Sequence, residues 1–152
     1  NLEGSEIGAA FGLVQLEKLS NNIATRQLNF KIQKEFFDGF PDIFISPNEN
    51  QNAETAWLAF PIIIKEDAPF TRKEFQIYLE KNNIQTRVVF TGNILRQPMT
   101  SKMKKRVNLL GYPNADQIMK NGVLLPVHHG LTDSMFENLH KIIKEFVDSK
   151  IH

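Results

Sequence analysis

Apolar positions along the chain follow a helical rhythm first and a strand rhythm afterwards. Ala9, Ala10, Leu13, Leu16 and Leu19 recur at spacings of one, three and four, the pattern of a helix with a buried stripe. Ser5 or Glu6 opens this helix, with acid near the positive end of its dipole. Asn21-Asn22 marks a cap or a kink. Ile23, Gln27, Phe30, Lys34 and Phe37 then carry the rhythm on to Asp38-Gly39, a stop signal reinforced by Pro41. The predicted helical region, about 30 residues, is longer than a compact domain of this size usually opens with. A helix of that length with a wide apolar face fits a boundary between two domains.

Beyond it the apolar runs shorten. Asp42 to Ser46 reads as a short strand and Pro47 to Thr55 as polar loop. Ala56 to Ile64 is rich in aromatic and β-branched residues, with Pro61 pointing to an edge position or a bulge. Thr71-Arg72-Lys73-Glu74 is a capping box opening a helix whose apolar face is Phe75, Ile77, Tyr78 and Leu79, and which ends near Asn82-Asn83. Ile84 to Phe90 reads as a strand and Thr91 to Pro98 as a loop. Asn114 to Asn121 is a short helix stopped by Gly122, and Val123 to Val127 a strand. Thr132 caps a final amphipathic helix bearing Phe136, Leu139, Ile143, Phe146 and Val147. Phe36, Phe37, Trp57 and Phe60 belong to the expected core. The predicted fold is α+β: a long N-terminal linking helix, then a small, mostly antiparallel sheet packed with helices. The division is a helical segment over 1–38 and an α+β domain over 39–152.

Composition narrows the classes. At 152 residues, 41% hydrophobic and 23% charged, the chain is one globular domain or a domain with an appendage, and no disordered tail. Its 18 Lys and Arg against 17 Asp and Glu leave a formal charge of +1, so neither nucleic acid nor an anionic membrane is the expected partner. The absence of cysteine excludes disulfides, thiolate metal or iron–sulfur ligation and cysteine nucleophiles within this chain. No apolar run approaches the roughly 18 residues that span a bilayer. Asn1 to Glu6 has neither the basic nor the apolar region of a signal peptide, and the expected location is cytoplasmic.

Two turns that end strands hold the candidate chemistry. In Thr86 to Pro98, Arg87 and Arg96 bracket Gly92-Asn93, with Gln97 beside them. Arginine's planar fork suits phosphate or carboxylate, and Asn and Gln offer amide donors and acceptors. The turn reads as an anion site or as a surface hairpin with two solvated arginines. In Leu125 to Asp133, the adjacent His128 and His129 point to opposite sides of an extended segment, so a shared metal is not expected. One histidine lining a pocket while the other packs fits better. Lys102, Lys104, Lys105 and Arg106 lack the interleaved aromatics of a nucleic-acid surface and read as a solvated face or a long-range aid to an anionic ligand. Neither a Gly-rich phosphate loop nor a Gly-x-Ser-x-Gly elbow is present.

Asn1-Leu2 with Glu6-Ile7-Gly8-Ala9-Ala10-Phe11-Gly12-Leu13-Val14-Gln15-Leu16-Glu17-Lys18-Leu19 resembles a segment of the DegT/StrS-type nucleotide-sugar aminotransferases. There a Tyr-Asn turn leads into a helix carrying Ala-Ala, Gly and Gln-Leu at these intervals. Arg26, Trp57 to Pro61, Thr86 to Pro98 and Leu124 to Asp133 are similar to that family's small C-terminal domain. Gly92 to Pro98 and Leu125 to Gly130 fit one branch best, the CDP-4-keto-6-deoxyhexose 3-dehydrases of lipopolysaccharide and deoxysugar synthesis. The resemblance covers essentially the whole chain.

It implies a fragment of a fold-type I enzyme. A large N-terminal domain, missing here, holds pyridoxal phosphate or pyridoxamine phosphate, the Asp on its ring nitrogen and the catalytic Lys, which is His in the dehydrase branch. No catalytic residue is therefore expected in these 152 residues, and alone they are expected to be inactive. The family's homodimers put active sites at the subunit interface, and Asn1 matches an Asn that contacts the phosphate of the neighbouring subunit's cofactor. The implied substrate is a nucleotide sugar. Its diphosphate would meet Arg87 or Arg96, its hydroxyls or base edge Asn93 and Gln97, and its sugar His128 or His129. In the dehydrase reading a large-domain His removes a proton and the C3 hydroxyl leaves, with the cofactor ring as electron sink. A glutamate-dependent aminotransferase and a free-standing binding or dimerisation module are the alternatives.

Overall fold

The computed structural model describes residues 4–151. Helix α1 runs unbroken over Glu6–Asp38, with the Ser5 hydroxyl capping it by accepting from the Gly8 N–H at 3.0 Å. The helix continues through Asn21-Asn22, so that pair does not cap it. Each Asn costs no more than about 0.7 kcal/mol in helix propensity, which continuation of the helix on both sides outweighs.

Four short strands form one antiparallel sheet: β1 (Phe44–Ile45), β2 (Phe60–Ile64), β3 (Arg87–Val88) and β4 (Gly122–Leu125), in the order β1-β2-β4-β3. Phe44 lies opposite Ile64, Phe60 opposite Leu125 and Arg87 opposite Leu124. Helix α2 (Arg72–Lys81) starts at the expected capping box, with both reciprocal bonds between Thr71 and Glu74 formed. Helix α3 (Pro113–Asn121) leads directly into β4, and α4 (Asp133–Ile151) closes the domain.

Two expectations are refined. Pro61 sits in an inner strand, but β1 covers only Ile63 and Ile64, so at Pro61 strand β2 has a partner on one side only. The predicted strand over 84–90 contracts to two residues. Asn83 and Phe90 both adopt left-handed backbone (φ 62° and 47°), and the Thr86 N–H and hydroxyl are held by Glu80, at 2.6 and 3.0 Å.

Alternation in β2 turns Phe60, Ile62 and Ile64 into a core with Phe30 and Phe37 of α1, Phe75 and Leu79 of α2, and Ile143, Phe146 and Val147 of α4. All of α1's contribution comes from its C-terminal third. The N-terminal stripe, expected to be buried, is exposed: Leu13 is 64% and Leu16 63% accessible. The core begins at Asn29, and the first turns of α1 run past it. The 152-residue chain by itself should accordingly self-associate through this face. Sedimentation at rising concentration checks this, and a monomer throughout would contradict it.

His140 of α4 stacks on Phe36 with centroids 3.9 Å apart and planes 2° from parallel. Burial pushes its pKa down from 6.5 to about 4. Between those values the unfolded chain binds a proton that the folded chain does not, so stability is complete above pH 6.5 and falls toward pH 4. His140→Phe should flatten that part of the profile of Tm against pH. An unchanged slope would assign the acid sensitivity elsewhere.

Candidate functional site

A groove of about 560 Å³ opens between the end of β4, the first turns of α4 and the rim formed by Leu58 and Ala59. Met135, Phe136 and Leu139 of α4 give it an apolar wall, and β4 with Pro126 to His128 gives it a backbone wall. Arg87 and Phe90 stand at its other side. Arg87 is placed by its neighbour Thr86, whose hydroxyl also accepts from Gln76 Nε2 at 3.1 Å. Glu80 is held below the usual carboxylate range, first by the Thr86 backbone N–H, then by its hydroxyl, with the Arg87 charge contributing.

His128 lines the same groove, at the turn between β4 and α4. Its Nδ1 accepts from the Gly130 N–H at 3.1 Å, so that nitrogen carries no proton and Nε2–H is the available donor. A cation at the rim, an imidazole donor and an apolar wall suit a ligand with an anionic part and a hydroxylated or ring part.

The structure thus brings Arg87 and His128 to one groove. It leaves Asn93, Arg96, Gln97 and His129 off the groove lining, and Asn1 lies outside the described residues. Asn93, Arg96 and Gln97 work within their own loop. The buried Asn93 accepts from the Leu95 N–H at 3.0 Å and donates to Asp116 of α3 at 2.8 Å. Arg96 meets the same carboxylate in a fork, Nε to Oδ1 at 2.9 Å and Nη2 to Oδ2 at 2.6 Å. Gln97 Nε2 donates to the Thr91 carbonyl at 2.9 Å. The Arg96 fork, then Asn93, hold the Asp116 carboxyl down at about 2. This loop is locked to α3, and Gly92 (φ 62°) lets it pass close over Met119.

Sequence reasoning missed Asp116 as the partner of Arg96, twenty positions away, because nothing local marks such a pair. It also missed the apolar wall. Phe136 and Leu139 carry the signal of a buried helix face, which is the same whether that face meets core or groove.

The model of the DegT/DnrJ/EryC1/StrS aminotransferase family matches residues 1–144. The chain is 31% identical over 146 residues to the lipopolysaccharide biosynthesis protein RfbH of Salmonella typhimurium, covering 96% of this chain and 32% of that protein. It is 33% identical over 147 residues to the dTDP-4-dehydro-2,6-dideoxy-D-glucose 3-dehydratase of Saccharopolyspora spinosa, covering 97% and 31%. Among solved structures, the E. coli GDP-4-keto-6-deoxy-D-mannose-3-dehydratase with bound hydrated PLP superposes with a TM-score of 0.79 at 27% identity, over 88% of this chain and 34% of that one. The chain belongs to the DegT/DnrJ/EryC1/StrS aminotransferase family. It spans about a third of the length of the relatives it matches. Among the described residues, no helix is long and apolar enough to cross a membrane.

Proposed function

We propose that residues 39–152 are the small C-terminal domain, and 1–38 the linking helix, of a longer cytoplasmic enzyme. That enzyme is a 3-dehydratase acting on a nucleotide-linked 4-keto-6-deoxyhexose, CDP-linked as the resemblance implies, in lipopolysaccharide O-antigen deoxysugar synthesis. The observation that carries this reading is the groove joining Arg87 to His128, in a chain whose relatives include 3-dehydratases. Arg87 neutralises a phosphate of the diphosphate, His128 Nε2–H donates to a sugar oxygen, and the wall of Met135, Phe136 and Leu139 excludes water.

The exposed first turns of α1 support a covering large domain, which would bind pyridoxal or pyridoxamine phosphate and supply the electron sink for loss of the hydroxyl. In the homodimer, Asn1 would reach the phosphate of the neighbouring subunit's cofactor. Asn93, Arg96 and Gln97 act here through the shape of their loop, and His129 contributes from the turn beside His128.

Product analysis on the full-length polypeptide tests the reading. Incubated with a nucleotide-4-keto-6-deoxyhexose, a dehydratase releases water from C3 and leaves the C4 nitrogen count unchanged. An aminotransferase returns a 4-amino sugar that keeps its C3 hydroxyl. Formation of the amino sugar would replace this proposal with the transaminase.

A further inference from the structure

One face of α1 carries three polar side chains over two turns, and each donates to main-chain carbonyls in or next to the groove lining. Arg26 Nη1 donates to the Trp57 carbonyl at 2.9 Å and to that of Leu58 at 3.4 Å. Asn29 Nδ2 donates to the His128 carbonyl at 2.9 Å, with that of Val127 at 3.5 Å. Gln33 Nε2 donates to the Pro126 carbonyl at 3.0 Å. These carbonyls belong to two adjoining stretches, the Leu58 rim that leads into β2 and the backbone wall of Pro126 to His128 that leaves β4. Asn29 and Gln33 are buried, at 4% and 0% accessibility, so the bonds are shielded from competing water.

The chain of bonds continues one residue further. Because the Gln33 amide nitrogen faces Pro126, its Oε1 faces His140, 3.0 Å from Nε2. A carbonyl oxygen only accepts, so His140 must hold its proton on Nε2. His140 thereby fixes which way the Gln33 amide points. Flipping that amide would set oxygen against the Pro126 carbonyl.

We propose that Arg26, Asn29 and Gln33, with His140 orienting Gln33, form a positioning rail that fixes the Leu58 rim and the adjoining backbone wall of the groove to helix α1, and so sets affinity for the nucleotide sugar without touching it. This rests on the reading of the groove as the nucleotide-sugar site. The helix that bears the exposed N-terminal stripe is then the same rigid body that registers the groove.

The test uses the full-length enzyme and its nucleotide-sugar substrate. His140→Phe keeps the stack on Phe36 but leaves Gln33 Oε1 without its donor. His140→Gln restores an amide donor. Asn29→Leu keeps bulk and strands the Val127 and His128 carbonyls. The rail acts on binding remote from the reacting centre, so KM should rise about tenfold in His140→Phe and in Asn29→Leu while kcat stays within about twofold. His140→Gln should bring KM back to within about threefold of the starting enzyme. A parallel His128→Ala variant separates the rail's effect from that of the groove itself. If His128→Ala raises KM while the rail variants leave it unchanged, or if His140→Gln fails as His140→Phe does, the rail is overturned and the groove reading stands. If His128→Ala leaves KM unchanged, the groove is not the substrate site and the rail falls with it.

Discussion

Phe37→Ala will cost this chain about 3–5 kcal/mol of folding stability, the range for truncating a fully buried aromatic. Phe37 is wholly inaccessible and meets Phe44 edge-on at 5.0 Å, Phe36 edge-on at 5.2 Å and Phe60 at 5.5 Å. It fastens α1 to β1 and β2, so its removal leaves a cavity at the junction of helix and sheet that rigid neighbours cannot fill. At this chain length such a loss lowers Tm by about 10 °C, given roughly 2–4 °C per kcal/mol. Leu58→Ala, at an exposed residue, is the matched control and should change stability by no more than about 0.5 kcal/mol. Denaturant melts of the two variants decide the matter. A Phe37→Ala cost below about 1 kcal/mol would mean that α1 is not seated as described.

The second large effect is expected at Gly92. Its φ is +62°, and a Cβ there would lie 2.3 Å from Met119 Cβ and 2.6 Å from Met119 Cα. Backbone is among the atoms struck, so a rotamer change in Met119 gives no relief. Gly92→Ala must lift the 91–97 loop from α3, and that breaks the Asn93 and Arg96 bonds to Asp116. Gly111 supplies the comparison. It too is left-handed, at φ +70°, but nothing lies within 4 Å of its Cβ position. Gly111→Ala should therefore show only the backbone penalty, about 1–2 kcal/mol, while Gly92→Ala costs clearly more and renders the loop a site of proteolysis. Equal costs at the two glycines would show that the loop does not lie against Met119.

These two residues also show which parts of the molecule the sequence makes legible. The helices were readable because their signals are local: the Thr71–Glu74 capping box, the Thr132 cap and the 3.6-residue stripe of α4 lie within one or two turns. Phe37 was legible as core for the same reason. Strand extent was not, since the segment over 84–90 has strand composition but is cut short by Glu80, which captures Thr86 from the preceding helix. The stripe over Ala9 to Leu19 has a buried pattern, and periodicity cannot say what does the burying. Among site residues, Arg87 and His128 stood out by type and by their place at strand ends. That they share one groove depends on β3 pairing with β4, which is a tertiary fact. Arg96 looked like an anion binder because its anion, Asp116, is contributed by another element. Asn29 and Gln33 were silent, since polar residues on a helix ordinarily read as solvated.

What holds the cofactor in the native full-length polypeptide separates the proposed 3-dehydratase from an aminotransferase. Borohydride reduction in the presence of pyridoxal phosphate, followed by peptide mass mapping, reads this out. The expected result is cofactor that binds yet leaves no covalent adduct, as a His in place of the catalytic Lys requires. A single stoichiometric Lys adduct would contradict it and make the protein an aminotransferase.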